Sequence, residues 1–202
     1  AKSRTFLFTF GFSIVLRDKD QKQTMMNEDK IRETCMTDPE LGFRWLMEKY
    51  QSQMYWHIRR MVVSHEDAED VLQETFIKIF RYLDDFRAES SLSTWVYRIT
   101  TNECIRFLNR RKEQTISTEE VQADLMNKLM ASEYVDYDNA MEVKFQKAIL
   151  TLPEKQRLVF NLRYYDELKY EEISRITDTK VETLKANYYF AKEKIKEYMT
   201  NN

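Results

Sequence analysis

Apolar residues fall at helical spacing over most of the chain. Ala68, Val71, Leu72, Phe76, Ile79, Phe80 and Leu83 form one such stripe, which leaves an acidic opposite face. Ser64 precedes this stripe as an N-cap, and Glu66, Asp67, Glu69 and Asp70 sit where the helix dipole is positive. Upstream, Phe43, Leu46, Met47, Tyr50, Met54 and Ile58 mark a second helix from about Glu40. A third helix, capped by Ser93 or Thr94, runs to about Lys112 with Trp95, Ile99, Ile105 and Leu108 as its apolar side. These elements predict a helical bundle over residues 26–112.

The pattern weakens after Lys112. From Glu113 to Glu142 there are eight acidic residues against Lys128 alone, a local charge of −7. Residues 113–141 are read as a linker, with a short helix around Val121 to Met130. Helical periodicity returns from Phe145 to Met199, with Pro153 expected at a first helical position. Residues 142–202 therefore predict a second, smaller bundle. The expected fold is all-α: two small helical bundles joined by an acidic linker.

Within the second bundle, Tyr170 to Ile176, the polar turn Thr177-Asp178-Thr179-Lys180, and the segment from Val181 onward read as a helix-turn-helix. Ile173 and Ile176 face Val181, Leu184 and Tyr188. Asp178 stands where Gly is common in such turns, and Asp tolerates left-handed backbone better than most residues. Taken alone, the segment fits DNA binding and plain bundle packing about equally.

Composition narrows the function classes. Among 202 residues there are only 2 Gly and 2 Pro, too few for turn-rich β folds. Gly11 and Gly42 lie far apart, which excludes the Gly-rich nucleotide-binding fingerprints. Cys35, Cys104, His57 and His65 are too scattered for a four-ligand zinc site, so no metal or other cofactor is expected. The histidines read as surface or packing residues. No nucleophile-base pair or carboxylate pair is apparent, so the chain is not expected to be an enzyme or to have a small-molecule substrate.

The apolar run Thr5–Leu16 follows Lys2 and Arg4, but it is shorter than the roughly 20 residues that cross a bilayer. Residues 1–25 are read as a non-native or disordered leader, with translation starting at Met25 or Met26. A cytoplasmic protein is expected; a membrane tether is the lesser alternative.

A formal net charge of −2 hides strong segregation. Residues 98–112 carry five basic side chains against Glu103, a local charge of +4. Arg98, Asn102, Arg106, Asn109 and Arg110 recur along one side of that helix. Residues 180–196 carry five lysines against Glu182 and Glu193, a local +3 suited to phosphate contacts. The outward face there holds Thr183, Lys185, Ala186, Asn187, Tyr189 and Phe190. Asn can read adenine edges, Lys can reach guanine, and Ala or aromatic carbon can meet thymine methyls.

The order of three segments resembles an extracytoplasmic-function (ECF) sigma factor of bacterial RNA polymerase. They are Asp67-Ala68-Glu69-Asp70-Val71-Leu72-Gln73-Glu74-Thr75-Phe76, then Ser93-Thr94-Trp95-Val96-Tyr97-Arg98-Ile99-Thr100-Thr101-Asn102, then Leu152-Pro153-Glu154-Lys155-Gln156-Arg157 leading into the helix-turn-helix. The resemblance covers about Glu40 to Met199. It implies that the first bundle is sigma region 2, binding core RNA polymerase through Asp70, Gln73, Glu74 and Ile77. It implies that the minus-10 promoter element meets Phe86, Ser90, Ser91, Arg98, Asn102, Arg106 and Arg110, with a base-capturing loop over residues 85–92. Trp95 is read as core packing in preference to base stacking.

The second bundle would be sigma region 4, meeting the minus-35 element through Lys180, Thr183, Lys185, Ala186, Asn187, Tyr189 and Phe190. The resemblance transfers this location but not the base sequence, because ECF recognition helices commonly carry several arginines and this helix has none there. The acidic linker would thread polymerase channels as a nucleic-acid mimic, or serve as a solubilising spacer. The implied partners are core RNA polymerase, promoter DNA and an anti-sigma factor, membrane-anchored in many relatives. An autonomous helix-turn-helix regulator and a protein-binding helical adaptor remain alternatives. The first leaves the basic helix and the acidic strip unassigned, and the second predicts no salt-dependent DNA affinity.

Overall fold

The computed structural model describes residues 27–83, 86, 90–113, 118–130 and 140–201. The leader expected over residues 1–25 lies outside them. The described residues contain nine helices and no strand: α1 (Glu28–Thr37), α2 (Pro39–Val62), α3 (His65–Tyr82), α4 (Leu92–Glu113), α5 (Thr118–Met130), α6 (Ala140–Leu150), α7 (Glu154–Tyr164), α8 (Tyr170–Thr177) and α9 (Val181–Asn201).

Local chemistry sets most helix starts. Asp38 accepts from the Leu41 N–H at 3.1 Å, with Pro39 in the first turn of α2. Ser64 accepts from the Asp67 N–H at 3.3 Å and opens α3 where the pattern places it. The start of α4 differs from the sequence reading: its cap is Ser91, whose Oγ accepts from the Thr94 N–H at 3.2 Å. Pro153 stands at the cap of α7, one position before the first turn expected for it.

In the first bundle, Leu46, Tyr50, Met54 and Ile58 of α2 pack against Ala68, Val71, Leu72, Phe76 and Ile79 of α3 and Val96, Cys104 and Leu108 of α4. The inward side of α4 is therefore rotated from the expected one. Val96, Thr100 and Cys104 are fully buried, while Trp95, Ile99 and Ile105 are half-buried at the edge. The threonines make this possible, because Thr100 donates to the Val96 carbonyl at 2.8 Å and its hydroxyl needs no water. Burial pushes the Cys104 thiol well above its ordinary pKa, and both cysteines are free and buried.

Helix α1 was not anticipated. Ile31 and Cys35 are its buried positions, and the Tyr50 hydroxyl of α2 donates to Glu28 Oε1 at 2.7 Å. Gly42 lets the two helices touch: a Cβ there would lie 2.5 Å from both the Cα and the backbone N of Cys35.

The linker region holds an ordered helix longer than expected. Leu125 and Leu129 of α5 are buried with Leu150 of α6 and Val63, the residue that ends α2. Val63 has φ 70°, a left-handed conformation that costs a β-branched residue on the order of 1–3 kcal/mol. Its side chain is thereby turned into the α5 contact. Arg111 and Lys128 reach Asp67 at 3.0 and 2.9 Å, and Arg111 also pairs with Asp124, so α5 is tied to the ends of α3 and α4.

The two halves share one core. Leu158, Val159 and Leu162 of α7, Ile173 and Ile176 of α8 and Leu184 of α9 join the cluster built by α2, α3 and α4. A smaller core of Ala148, Ile149, Leu152, Phe160, Ala191 and Ile195 holds α6, α7 and α9 together.

The Gly42 contact yields a direct test. Gly42→Ala should lower unfolding free energy in urea by about 1–3 kcal/mol, because backbone rather than a flexible side chain must move. Met36→Ala, at a position 69% exposed on α1, should leave it within about 0.5 kcal/mol.

Candidate polymerase and nucleic-acid interfaces

Asp70, Gln73 and Glu74 are exposed on α3, and Ile77 is half-buried one turn further on. Asp70, Gln73 and Glu74 border a groove of about 570 Å³ between α3 and α4, with Val71 and Phe107 supplying apolar wall and Arg110 and Arg111 basic wall; Ile77 does not line it. Such a mixed groove beside an acidic helix face fits a helical partner with cationic side chains. Arg110 lies in this groove, so a residue assigned to the minus-10 face is also beside the strip assigned to polymerase.

The remaining α4 residues divide. Arg98 and Asn102 are exposed. Arg106 is exposed too but pairs with Glu103, which also pairs with Lys78 of α3 and is itself buried. Glu103 thus tethers Arg106 at the α3 boundary and offsets one of the five positive charges counted along this helix. The hydroxyl of Ser91 is committed to the α4 cap and to Ser93 and Thr94 at 3.1 and 2.8 Å. Ser90 is half-buried. The half-buried Phe86 ring sits 5.0 Å from the Trp95 ring at a tilt of 44°, and Trp95 packs half-buried against the edge of the core, in keeping with the packing reading. Residues 84, 85 and 87–89 of the expected base-capturing loop lie outside the described residues.

The helix-turn-helix is formed by α8 and α9. Asp178 closes α8 in left-handed geometry, φ 51° and ψ 40°, at the position where the sequence raised that question. Glu172 accepts from the Lys169 N–H at 2.8 Å and fixes the start of α8. On α9, Leu184, Ala191 and Ile195 point inward. Lys180, Thr183, Lys185, Ala186, Tyr189 and Phe190 are exposed and Asn187 is half-buried. Tyr189 and Phe190 are 59% and 53% exposed, which places a large aromatic surface on the outward face. The Lys185 ammonium lies 5.9 Å from the Tyr170 ring of α8, a contact that steadies it at the junction of the two helices.

Sequence reasoning missed the residues that join the halves. His57 of α2 is completely buried, with Nδ1 2.7 Å from Asp166 Oδ2 and Nε2 3.2 Å from Thr101 Oγ1. Arg60 donates to Asp166 Oδ1 at 3.2 Å and lies 4.4 Å over the Tyr165 ring. Local spacing carries no trace of a partner 109 residues away.

Comparison with known proteins agrees with this arrangement. Sigma-70 region 2 matches residues 46–114, and Sigma-70, region 4 matches residues 142–195. The chain is 28% identical over 183 residues to the ECF RNA polymerase sigma factor SigW of Bacillus subtilis, covering 87% of this chain and 97% of that protein. It is 29% identical over 178 residues to the ECF RNA polymerase sigma-E factor of Escherichia coli K12, covering 84% and 93%. The fold is similar to the sigma factor RpoE solved in complex with the anti-sigma factor NepR from Bartonella quintana, with TM-score 0.61 and 19% identity over 79% of this chain and 98% of that one. It is also similar to CnrH solved with the cytosolic domain of CnrY, with TM-score 0.62 and 17% identity over 85% and 96%.

The chain belongs to the sigma-70 family and, within it, to the ECF class of RNA polymerase sigma factors. It binds core RNA polymerase and directs promoter-specific transcription initiation at minus-10 and minus-35 elements. Sigma factors are initiation factors without an enzymatic activity of their own. Among the described residues no helix is long and apolar enough to cross a membrane.

The turn of the DNA-reading unit is testable by itself. Asp178→Gly should keep or slightly raise the melting temperature, because Gly takes φ 51° without a Cβ clash. Asp178→Val should lose about 1–2 kcal/mol at the same exposed position.

Proposed function

We propose that polymerase docking runs through Asp70, Gln73, Glu74 and Ile77, carried by one observation: Asp70, Gln73 and Glu74 stand together on the exposed side of α3, at the lip of a groove lined by apolar and basic side chains, with the half-buried Ile77 one turn further along the helix. A charged strip backed by apolar surface gives both steering and burial to a basic helical partner. Arg98, Asn102, Arg106 and Arg110 track the backbone of the minus-10 strand, with Phe86, Ser90 and Ser91 at the loop that holds an extruded base. Lys180, Thr183, Lys185, Ala186, Asn187, Tyr189 and Phe190 enter the major groove at the minus-35 element. The absence of arginine on this face shifts readout toward apolar contact and shape.

In this reading residues 26–112 form the region 2 domain, residues 113–141 the acidic connector and residues 142–202 the region 4 domain. The chain holds no catalytic residue, and phosphodiester chemistry belongs to the polymerase. It works in the cytoplasm, where the polymerase is. An anti-sigma factor covering the polymerase-binding surface is the proposed regulator, supported by the similar structures, in which RpoE is bound to the anti-sigma factor NepR and CnrH to the cytosolic domain of CnrY.

Run-off transcription on genomic promoter fragments with core polymerase tests the assignment. The unmodified chain should give defined transcripts. The triple variant Asp70→Ala, Gln73→Ala, Glu74→Ala should remain folded and lose at least tenfold in transcript and in co-purified polymerase. Full activity of the triple variant would move docking to another surface.

A further inference from the structure

The outward face of α9 carries an apolar feature that phosphate contact does not require. Tyr189 and Phe190 are adjacent and 59% and 53% exposed, with ring centroids 5.7 Å apart and ring planes at 71°. Ala186 lies one helical turn before both rings and Thr183 one turn before Ala186, and both are exposed. The two methyl-bearing residues and the two rings form one strip along the helix, with the edge-on rings as an open corner at its end. Aromatic side chains carry the largest apolar area of any residue, so two left uncovered side by side mark a surface with a partner.

The charges around the strip define what covers it. Lys185 and Lys192 line one margin, two turns apart, with their ammonium groups 5.9 Å from the Tyr170 ring and 5.8 Å from the Tyr188 ring. Cations drawn to the margin in this way suit the phosphates that border a groove. Glu182 and Glu193 are exposed on the same side as the strip, one turn before Ala186 and one turn after the rings, and carboxylates there repel phosphate. Backbone contact is thus favoured at the margin and opposed along the strip, which leaves the strip to base edges.

Only one kind of base edge suits it. A helix in the major groove meets hydrogen-bond donors and acceptors on every base pair and a single apolar group, the C5 methyl of thymine. Guanine and cytosine edges pressed against Phe190 or Ala186 would lose their water without gaining a partner, at a cost like that of any buried unsatisfied polar group. α9 contains no arginine to read guanine with a two-pronged contact. Asn187, the one amide on this face, is half-buried at the edge of the strip, and an amide pairs with adenine, the partner of thymine.

We propose, building on the region 4 reading, that Thr183, Ala186, Tyr189 and Phe190 form a thymine-methyl reader, so that the minus-35 element of this sigma factor carries thymine where the rings touch it. Tyr189 and Phe190 are then its specificity-determining residues, and Lys185 and Lys192 hold the helix at the depth that brings the rings to the methyls.

Uracil substitution isolates the methyl, because it removes that group and leaves every hydrogen-bonding group of the base in place. Holoenzyme made from the full chain and core polymerase first selects duplexes from a transcribed genomic fragment randomised across its minus-35 region. Thymine should be enriched at two or more neighbouring positions on either strand. At those positions each thymine-to-uracil change should weaken holoenzyme binding about fourfold, the worth of one buried methyl, while the same change outside the element should alter it by less than about twofold. The double variant Tyr189→Ala, Phe190→Ala should co-purify with core polymerase as the unmodified chain does, bind the thymine duplex more weakly, and bind thymine and uracil duplexes alike. Equal affinity of the unmodified holoenzyme for the two duplexes would overturn the methyl reader, as would discrimination that survives in the double variant. Loss of core polymerase from the double variant would overturn it too, since the rings would then be covering a protein surface. If the holoenzyme selected no sequence in that region at all, the region 4 reading itself would fail and take the reader with it.

Discussion

Asp166 in contact with His57 and Arg60 is the interaction on which the observed arrangement turns. A carboxylate this buried is tolerated only with opposing donors at hydrogen-bond distance, and both donors come from α2, on the other half of the molecule. Asp166 lies in the connection between α7 and α8, so fixing it also fixes where the helix-turn-helix begins. The position of α8 against α4 follows, and with it the outward presentation of α9. The apolar residues of the seam supply most of the burial, while this polar contact fixes its register.

The same chain answers opposing demands. A helix-turn-helix needs a rigid scaffold behind its reading helix, and α6, α7 and α9 provide one through Phe160, Ala191 and Ile195. The seam makes a second demand, that Leu158, Val159 and Leu162 of α7 also complete the core built by α2, α3 and α4. Apolar burial stabilises the free molecule, and the orphaned Arg60 Nε and Asn161 Oδ1 limit how much that burial is worth.

Much of the fold was legible in the sequence because amphipathic periodicity reports one-sided burial. Most of the α2 and α3 stripes and of the inward side of α9 emerged at their observed residues, and Ser64 capped α3 as its hydroxyl suggested; Phe80, expected in the α3 stripe, is instead 41% exposed and edge-on to Phe43. The rotation of α4 was not legible, since Thr100 and Thr101 look polar yet bury their hydroxyls against the Val96 carbonyl and His57. Helix α1 was short and had only Ile31 and Cys35 to show, although Asn27 followed by acidic residues was a usable start signal. In the linker, acidic composition masked the Leu125 and Leu129 pair that anchors α5. The side chains proposed to meet polymerase and DNA came from the resemblance to ECF sigma factors, with periodicity marking only which faces turn outward, whereas the seam depended on contacts across more than a hundred residues.

The most direct test is the distance between the halves, read by fluorescence energy transfer between dyes on Glu66→Cys of α3 and Lys196→Cys of α9, both exposed positions in a chain whose own cysteines are buried. The free chain should show a single short separation, within the roughly 40 Å of a compact body this size. A free chain already extended, with the dyes well beyond that distance, would contradict two halves that share one core.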